Sequence, residues 1–569
     1  MKTWIFLISI FIYLSNSFSQ IPEIVWESNF GGSDWDQGNC ILQTIDGGFI
    51  VSGYTYSDDL DVQSNNGVAD FWVTKISSLG ILEWSKNYGG SGTDLCYKIA
   101  NCGDGYILAG GTNSTDIDIT INHGNFDYWL VKIDLDGNML WQNCYGGSEY
   151  DMAHDVYITE DGGIIITGES KSSDGNITGH HGGTNSDFWV LKTDSIGTIE
   201  WEKSLGTEDN GHGTAIIQTN DEGYIAIGPQ IAPGRLEDFL IYKLNSAGDI
   251  LWEANYGGTD SDIPIDIIEL SSQKIQLCGL TFSNDGDVDG FHGGCDTWIL
   301  EIDSVGELVW NKALGGDNFE AGYTLIEANN EGTIIAGIAE SNNGDLAENY
   351  GYEDFWLLKI DTEGNLVWQR NFGGSDYDEI FSLTSLEDSS LIVSGHTRSN
   401  DIDVEFNNGN FDYWIVKIKV CEKIYFLDSD GDGYGDSEQD TISCDMPFGY
   451  ITDSTDCNDL NPDIYPGAPE LLNGLDDDCD GQSDEGLSII NNKVFQLFIH
   501  PIPATDHIII DYNTSTPTTL NIYTSSGAII YHNALWTGEA IDISNFPPAM
   551  YYLQLLQPEK VGYGCFVKE

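Results

Sequence analysis

The chain contains 569 residues, and its 92 acidic against 21 basic side chains give a formal net charge of −71 at pH 7. A charge of this sign and size repels nucleic acids and anionic membranes, so we expect no nucleic-acid partner. Beyond the first 19 residues there is no run of 18 apolar residues, so we also expect no membrane span.

Residues 1–19 have the composition of a signal peptide. Lys2 precedes an apolar run from Trp4 to Leu14, and the small-residue sequence Ser17-Phe18-Ser19 follows it. This run is too short to span a bilayer and is typical of a secretion signal. We therefore expect the mature protein to be secreted or held at the cell surface.

Residues 20–420 repeat one pattern of strands. In the clearest copy, residues 94–145, the Asp104-Gly105 turn separates two strands, a third strand spans residues 127–132, and a fourth contains Trp141. Asp-Gly between apolar runs is a strong hairpin signal, because a tight turn requires positive φ. We interpret the recurring tryptophans as packing residues; the alternative is a carbohydrate-binding platform. They stand at intervals of 51 to 60 residues: Trp26, Trp84, Trp141, Trp201, Trp252, Trp310 and Trp368.

Four strands in each repeat of this length predict the blades of an all-β propeller. The chain opens with an isolated fourth-type strand, residues 24–30, and the array ends with a third-type strand, residues 411–417, that lacks a fourth. We therefore predict a seven-bladed β-propeller in which the N-terminal strand completes the last blade. The alternative is an open β-solenoid, which the offset N-terminal strand disfavours.

A loop within most repeats carries a recurring Ser-x-Asp/Asn-x-Asp/Asn sequence. Two interpretations stay open: turn chemistry of Asx residues copied by duplication, or a set of weak Ca²⁺ sites. The fourth repeat is shorter and lacks this sequence. The other copies begin at Ser57, Ser114, Ser172, Ser283, Ser341 and Ser399.

The strongest chemical signal lies in residues 421–487, where two loops place aspartates at positions 1, 3, 5 and 9, with Gly at position 6. This is the spacing of a Ca²⁺-binding loop, in which position 7 contributes a backbone carbonyl. Ligands that are all oxygen select a hard cation over zinc. The predicted ligands are Asp428, Asp430, Asp432, Tyr434 and Asp436 in the first loop, and Asp476, Asp478, Asp480, Gln482 and Asp484 in the second.

These loops are not EF-hands, because position 12 is Gln439 in one and Leu487 in the other, and no helical pattern flanks either. Any further ligands must come from elsewhere in the segment. The alternative is an acidic linker without bound metal. Between the loops, the residues available to complete the coordination are Asp453, Asp456, Asn458, Asp459 and Asp463.

The segment resembles a metal-binding motif found in many secreted bacterial proteins, and it is also similar to thrombospondin type 3 calcium repeats. Leu472 stands where many members of the first family carry a Cys. The pairing of the remaining cysteines, Cys421, Cys444, Cys457 and Cys479, stays open. The matching residues are Asp430–Asp436, Cys444, Pro447–Tyr450, Asp456–Asp459, Asn461-Pro462, Pro466–Glu470 and Asp476–Glu485.

After a linker at residues 488–493, residues 494–569 form a separate β-module of seven short strands, which fits a small β-sandwich. This module resembles the C-terminal sorting domain of the type IX secretion system of Bacteroidetes. Ile502 and Ala549 depart from the family pattern, where Asn and Gly are common. The resemblance implies that the type IX machinery is a partner and that the protein crosses the outer membrane.

The sequence carries no Gly-x-Ser-x-Gly elbow, His-Glu-x-x-His motif or phosphate-binding loop. The repeats are also alike, whereas catalysis needs residues that break the symmetry. We therefore expect a non-enzymatic binding or display protein with a calcium-stabilised spacer, whose propeller binds a glycan or a surface protein. Two alternatives stay open: a secreted propeller enzyme acting on polysaccharide, and a structural adhesion component of the cell surface.

Overall fold

The computed structural model describes residues 21–569, apart from 182–184, 208–210, 232–235, 329–331, 347, 422, 444–445, 485–496, 514–516 and 558–559. The expected signal peptide and the linker at 488–493 therefore lie outside the described residues. The chain divides into two compact units: Met1–Ile424 with Ile442–Asp445, and Tyr425–Thr441 with Met446–Glu569. Across the described ranges all regular structure is β, as predicted, and no helix there is long and apolar enough to cross a membrane.

The described part of the first unit forms seven four-stranded antiparallel sheets. Six of them are built from four consecutive strands. In chain order, these are β2–β5 (Asp36–Gln43, Phe49–Thr55, Asp70–Ile76, Leu82–Tyr88), β6–β9 (Asp94–Asn101, Gly105–Thr112, Asp127–Asp134, Met139–Tyr145), β10–β13 (Asp151–Ile158, Ile164–Ser170, Asp187–Thr193, Ile199–Leu205), β14–β17 (Ala215–Gln218, Tyr224–Ile231, Glu237–Leu244, Ile250–Tyr256), β18–β21 (Asp262–Glu269, Ile275–Thr281, Asp296–Ile302, Leu308–Leu314) and β22–β25 (Glu320–Glu327, Thr333–Ala339, Asp354–Ile360, Leu366–Phe372).

The seventh sheet joins the two ends of the array. Its strands are β26 (Asp378–Ser385), β27 (Ser390–Thr397), β28 (Asp412–Cys421) and, from the N-terminus, β1 (Ile21–Phe30). β1 pairs antiparallel with β28, with Trp26 opposite Lys417. The isolated first strand thus pairs with the last repeat, which has only three strands of its own. This is the strand pairing that the sequence predicts.

Aromatic residues at the start of the third strand pack five of the seven sheets against a neighbouring sheet. Trp72, Trp129, Trp189, Trp298, Trp356 and Trp414 are fully buried. Because they lie in the core, they form no exposed carbohydrate platform. In each contact, the aromatic residue of one sheet meets the Trp of a neighbouring sheet with ring centroids 4.4–4.6 Å apart: Phe71–Trp129, Tyr128–Trp189, Phe239–Trp298, Phe355–Trp414 and Tyr413–Trp72.

The recurring fourth-strand tryptophans also make contacts between sheets. Trp84, in β5, lies against the turn glycine Gly137 of the following sheet, where a Cβ would come within 2.8 Å of the indole. Gly137 has a φ of +73°, so the turn favours glycine both for its backbone and for this close approach. Tyr88 donates a hydrogen bond to the carbonyl of the same glycine. These contacts explain the spacing of the tryptophans as repeated packing.

Buried carboxylates hold the Gly-Gly connections between sheets. Asp94, the first residue of β6, accepts hydrogen bonds from the Gly90 amide at 2.7 Å, the Ser114 hydroxyl at 2.9 Å and the Thr112 hydroxyl. Asp118, in the loop after β7, accepts from the Gly89 amide at 3.1 Å. The equivalents of Asp94 are Asp36, Asp151, Asp262, Glu320 and Asp378.

The recurring Ser-x-Asp loop is therefore a connector that reaches across to the preceding Gly-Gly segment, and not only a local turn. Its serine and aspartates accept amide hydrogens from that segment: Ser57 from Asp34 at 3.0 Å and Asp59 from Ser33 at 2.8 Å. The loop carboxylates thus satisfy backbone donors that would otherwise lack a partner.

The C-terminal module consists of two sheets that share one apolar core. A three-stranded sheet has the order β32 (Leu497–His500), β33 (His507–Tyr512) and β36 (Ala540–Asp542). A four-stranded sheet has the order β35 (Ile529–Leu535), β34 (Thr518–Tyr523), β37 (Ala549–Gln557) and β38 (Lys560–Lys568). Alternating apolar residues of both sheets fill the core, including Ile508, Leu520, Leu553 and Phe566. The seven strands match the number that the sequence predicts.

Candidate metal centre

The first acidic loop follows the short strand β29 (Ile424–Leu427), which pairs with β30 (Asp440–Ile442) and β31 (Tyr450–Ile451). Gly431 and Gly433 adopt φ values of +83° and +98°, which let the chain turn sharply. The Asp428 carboxylate accepts hydrogen bonds from the amides of both glycines, at 2.8 and 3.3 Å. The loop is thus folded by its own first aspartate.

Two aspartates of this loop and two from the segment that follows it have a buried carboxylate oxygen without a hydrogen-bond partner. These are the Oδ2 atoms of Asp430, Asp432, Asp456 and Asp459. Asp430, Asp456 and Asp459 bring ligand atoms within 4.8 Å of one another, and so do Asp428, Asp430 and Asp432. Among the aspartates that the sequence offers to complete the site, Asp456 and Asp459 are therefore brought to it.

The surroundings of these carboxyl groups disfavour their ionised form. Burial, followed by the charge of Asp432, raises the pKa of Asp430 above its usual range. Burial, followed by the charges of Asp432, Asp430 and Asp459, also raises the pKa of Asp456. Carboxylates that are removed from water and face one another without donors are stabilised by a cation placed between them.

The Asp436 carboxylate lies outside these groups of acidic atoms, and the backbone carbonyl of Tyr434 stays a predicted ligand. The Asp436 carboxylate accepts hydrogen bonds from the Glu438 amide and the Gln439 side chain, both at 2.8 Å. Tyr434 stacks its ring on Tyr465 at a centroid distance of 5.6 Å. Asp436 therefore orders the turn that follows the loop, and the Tyr434 ring helps to pack the loop against residue 465.

The second loop brings Glu470 to Asp476 and Asp478, with ligand atoms within 4.8 Å of one another. The Asp476 carboxylate accepts from the Asp480 and Gly481 amides at 3.2 and 2.9 Å, which repeats the arrangement around Asp428. Desolvation, followed by the charges of the neighbouring carboxylates, raises the pKa of Asp478. Glu470 is absent from the predicted ligands, although the Pro-Gly-Ala-x-Glu sequence of the motif contains it.

The other predicted ligands of the second loop take part in turns. Asp480 accepts from the Gln482 amide at 2.9 Å and from its side chain at 3.2 Å. Asp484 accepts from the amides of Asn473 and Gly474 at 2.8 and 2.9 Å. The carboxylates of positions 5 and 9 lie outside the acidic group that positions 1 and 3 form with Glu470.

A disulfide between Cys457 and Cys479 connects the two loops. Cys457 stands next to Asp456 of the first cluster, and Cys479 stands next to Asp478 of the second. Cys421 is also disulfide-bonded. Because both sulfurs of the 457–479 pair are oxidised, they are not available as thiolate ligands, and carboxylate oxygens make up the metal-binding groups at both loops.

Two segments of the chain match known families. Residues 456–485 match the family described as "Putative metal-binding motif", whose own name, Cu-binding MopE, refers to copper. Residues 498–564 match the secretion system C-terminal sorting domain. This sorting domain marks the protein for handling by the type IX secretion machinery and for export through the outer membrane, to the cell surface or the medium.

Similarity outside these segments is distant. The chain is 22% identical over 222 residues to the regulatory protein FlaEY of Caulobacter vibrioides, with 37% of this chain covered, and it spans only 22% of that relative's length. Its structure is similar to the α-L-arabinofuranosidase Arb93A of Fusarium graminearum (10% identity, TM-score 0.34, covering 69% of this chain and 97% of that one). It is also similar to a chain of the Drosophila Plexin A complex with Semaphorin 1b (10% identity, TM-score 0.39, covering 70% and 88%).

Proposed function

We propose that this protein is an exported binding or display protein without enzymatic activity. Its three parts are a seven-bladed β-propeller, an acidic spacer that two Ca²⁺ ions stabilise, and the sorting domain that exports it. The single observation that carries the metal assignment is the clustering of carboxylates around Asp430, where the Oδ2 atoms of Asp430, Asp432, Asp456 and Asp459 are buried without a hydrogen-bond donor.

Contacts that run from each sheet to the next support the propeller. They include the step from the seventh sheet back to the first, where Tyr413 packs on Trp72 at 4.4 Å and donates a hydrogen bond to its carbonyl at 2.9 Å. The pairing of β1 with β28 in the seventh sheet supports closure of the ring of sheets by the N-terminal strand. An open solenoid would leave its two terminal repeats without such a contact.

The ligand chemistry supports Ca²⁺ over copper. The clusters offer carboxylate oxygens, which suit hard cations that bind six to eight oxygens. Copper prefers imidazole or thiolate, and the cysteines next to the clusters are oxidised. In this proposal the ligands are Asp428, Asp430, Asp432, Asp456 and Asp459 for one ion and Glu470, Asp476 and Asp478 for the other.

One observation could be taken as support for a polysaccharide-cleaving enzyme: Glu353 and Glu379 form an acidic pair that breaks the symmetry of the array. The two carboxyl groups lie within hydrogen-bonding reach of each other. Glycosidases separate their two carboxyl groups by about 5 Å or more, to leave room for the sugar or a water. This pair therefore fits binding better than glycoside hydrolysis.

A competition titration tests the metal assignment. The full chain, freed of metal with a chelator, is titrated calorimetrically with CaCl₂, with CuSO₄ and with CaCl₂ after CuSO₄. The proposal predicts saturable binding of two Ca²⁺ ions that equimolar Cu²⁺ does not block. Saturable copper binding that prevents calcium binding would contradict it, and so would the absence of saturable calcium binding.

A further inference from the structure

An acidic and aromatic cluster lies in the first unit. It contains Glu340, which follows β23, Glu353, which precedes β24, and Glu379, the second residue of β26. The carboxyl group of Glu353 lies within hydrogen-bonding reach of those of both Glu379 and Glu340. Three carboxyl groups thus lie close together in one partly buried region.

A buried histidine without a hydrogen-bond partner faces this cluster. His396, in β27, is 1% exposed, and neither of its ring nitrogens has a hydrogen-bond partner. Its Nε2 lies 3.4 Å from Oε1 of Glu379, close enough for an ion pair when the ring is protonated, whereas its Nδ1 has no polar partner. A polar side chain this deeply buried normally has a partner, so its orientation indicates that a ligand completes the site.

Aromatic rings enclose the same place. The His396 ring lies 4.6 Å from Phe411, 5.3 Å from Phe381 and 5.8 Å from Trp35, measured between centroids. Tyr323 lies 5.4 Å from Phe381. Trp35 is 36% exposed, so at least one of these rings is open to solvent.

The fold itself does not require these charges. Glu379 and His396 are directly opposite each other on neighbouring strands. No other sheet for which this pair of positions is described combines an acid with a histidine there. The equivalent pairs are Gln37–Tyr54, Leu95–Gly111, Met152–Glu169, Ile263–Leu280 and Ala321–Ile338.

We propose that Glu340, Glu353, Glu379 and the surrounding aromatic rings form a binding site for an organic ammonium group, such as that of a lysine side chain. Carboxylates supply the counter-charge, and the faces of the rings attract a cation that is only weakly hydrated. A metal ion fits less well, because it needs several oxygen ligands at once and the described part of this cluster brings no three ligand atoms within 4.8 Å of one another, whereas two carboxylates and the ring faces suffice for an ammonium group. This site deepens the binding role proposed above and is independent of the calcium loops.

The electrostatics support this choice of ligand. Burial, followed by the charge of Glu379, raises the pKa of Glu353 to about 8. Arg398 stands nearby but pairs with Asp376 at 3.8 Å. A bound ammonium ion would favour the ionised form of Glu353, so binding releases a proton and strengthens as pH rises from 6 to 9.

Calorimetry of the full chain in 0.15 M salt tests the proposal with Nα-acetyl-lysine-methylamide as the probe and the norleucine analogue as its uncharged control. We expect one saturable site for the lysine compound and none for norleucine. Glu353→Gln combined with Glu379→Gln should weaken binding at least tenfold. The matched control is Glu169→Gln, at the position equivalent to His396 in another sheet, which should leave binding unchanged.

A lysine-containing tripeptide forms the second arm of the experiment. Tighter binding of the tripeptide than of the free lysine compound identifies a polypeptide as the source of the ammonium group, whereas equal binding identifies a free amine. Absence of saturable binding, or binding that the double Gln variant retains, overturns the proposal. Because the calcium titration measures a different site, failure of either proposal is seen separately.

Discussion

Buried aspartates do two different jobs in the two units of this protein. In the repeat array, Asp94 accepts hydrogen bonds from an amide and two hydroxyl groups, so its charge is satisfied by the chain itself. In the acidic segment, Asp430 and Asp456 each keep a buried oxygen without any donor. The same residue type is thus a structural connector where donors surround it, as at Asp94, and a proposed ion ligand where several donor-free carboxylate oxygens cluster. Single donor-free oxygens also occur in the array, at Asp70, Asp354 and Asp412, but the described part of the array brings no three acidic ligand atoms within 4.8 Å of one another.

The difference teaches how to interpret an acidic sequence. Ser-x-Asp-x-Asp loops and Asp-x-Asp-x-Asp-Gly loops look alike when written as patterns. In the array, however, the segment opposite the loop is Gly-Gly-Ser, which presents backbone amides to the carboxylates. In the acidic segment, the residues opposite are Asp456 and Asp459, which present more carboxylates. The charge of the opposing segment decides the role.

The largest expected effect is loss of the first calcium centre. Asp430→Asn combined with Asp456→Asn removes two ligands whose buried oxygens lack donors. A ligand at a hundred times its Kd stabilises the folded state by about 2.7 kcal/mol, so chelator should lower the Tm of the wild-type spacer clearly and that of the variant by about half as much. Scanning calorimetry with and without chelator measures the difference. An identical response of both proteins would show that these aspartates hold no ion.

Removal of the disulfide comes next. Cys457→Ser with Cys479→Ser opens a link between residues 22 positions apart, which should cost about 3 kcal/mol in the free energy of unfolding of the spacer. Since the link holds Asp456 near the second loop, calcium affinity should also fall. Denaturant unfolding at fixed calcium measures the first effect. The buried Cys40→Ser variant is the control, because Cys40 is a free thiol in the array and should leave calcium binding unchanged.

We expect a smaller loss of stability when a connector aspartate of the array is replaced. Asp94→Asn keeps one acceptor but leaves part of the Gly90, Thr112 and Ser114 donor set without a charged partner, which should cost about 2 kcal/mol. Thermal unfolding measures the loss, and calcium titration of the same variant supplies the contrast. If Asp94→Asn reduced the number of bound calcium ions, the distinction between connector and ion ligand would fail.

The smallest expected effect is a pH dependence of the array. Burial, with neighbouring negative charges, raises the pKa values of Asp70, Asp354 and Asp412 to about 7. In the unfolded chain these carboxyl groups have pKa values of about 4, so the folded state binds their protons more tightly. Their contribution to stability is therefore complete below about pH 4 and is lost as pH rises towards 7. We expect Asp70→Asn to flatten the fall in Tm between pH 5 and 8 by a few degrees, whereas the exposed Asp58→Asn should not.

Much of this architecture follows from the sequence, because its local signals repeat. The hairpin between β6 and β7 is present, but its turn is not at Asp104-Gly105 as the pattern predicts, because Gly103 has the positive φ of +86° and Gly105 already begins β7. The Asp-aromatic-Trp strands set the phase of the hairpins, and strand 127–134 begins where the pattern predicts. The unpaired strand at each end of the array predicts the pairing of β1 with β28. Because the repeats are alike, each of these turn and strand signals occurs several times in the chain.

The sites are less predictable, because they depend on contacts between distant segments. Spacing alone nominates Asp436 and Asp484, but neither joins the groups of acidic ligand atoms that the structure brings together. Glu470 reaches the second loop from outside its pattern. The Glu353, Glu379 and His396 cluster has no local pattern, since its members come from separate strands and loops. The register of β26 and β27 brings Glu379 and His396 together, and Glu353 reaches them from the neighbouring sheet.

The most direct test of the central claim is the number of calcium ions bound by three full-length proteins in one calorimetric series. We predict two ions for the wild type, two for Asp94→Asn, and one for Asp430→Asn combined with Asp456→Asn. Such a result would separate connector aspartates from ion ligands. An unchanged number in the spacer variant, or a lower number in Asp94→Asn, would contradict the account.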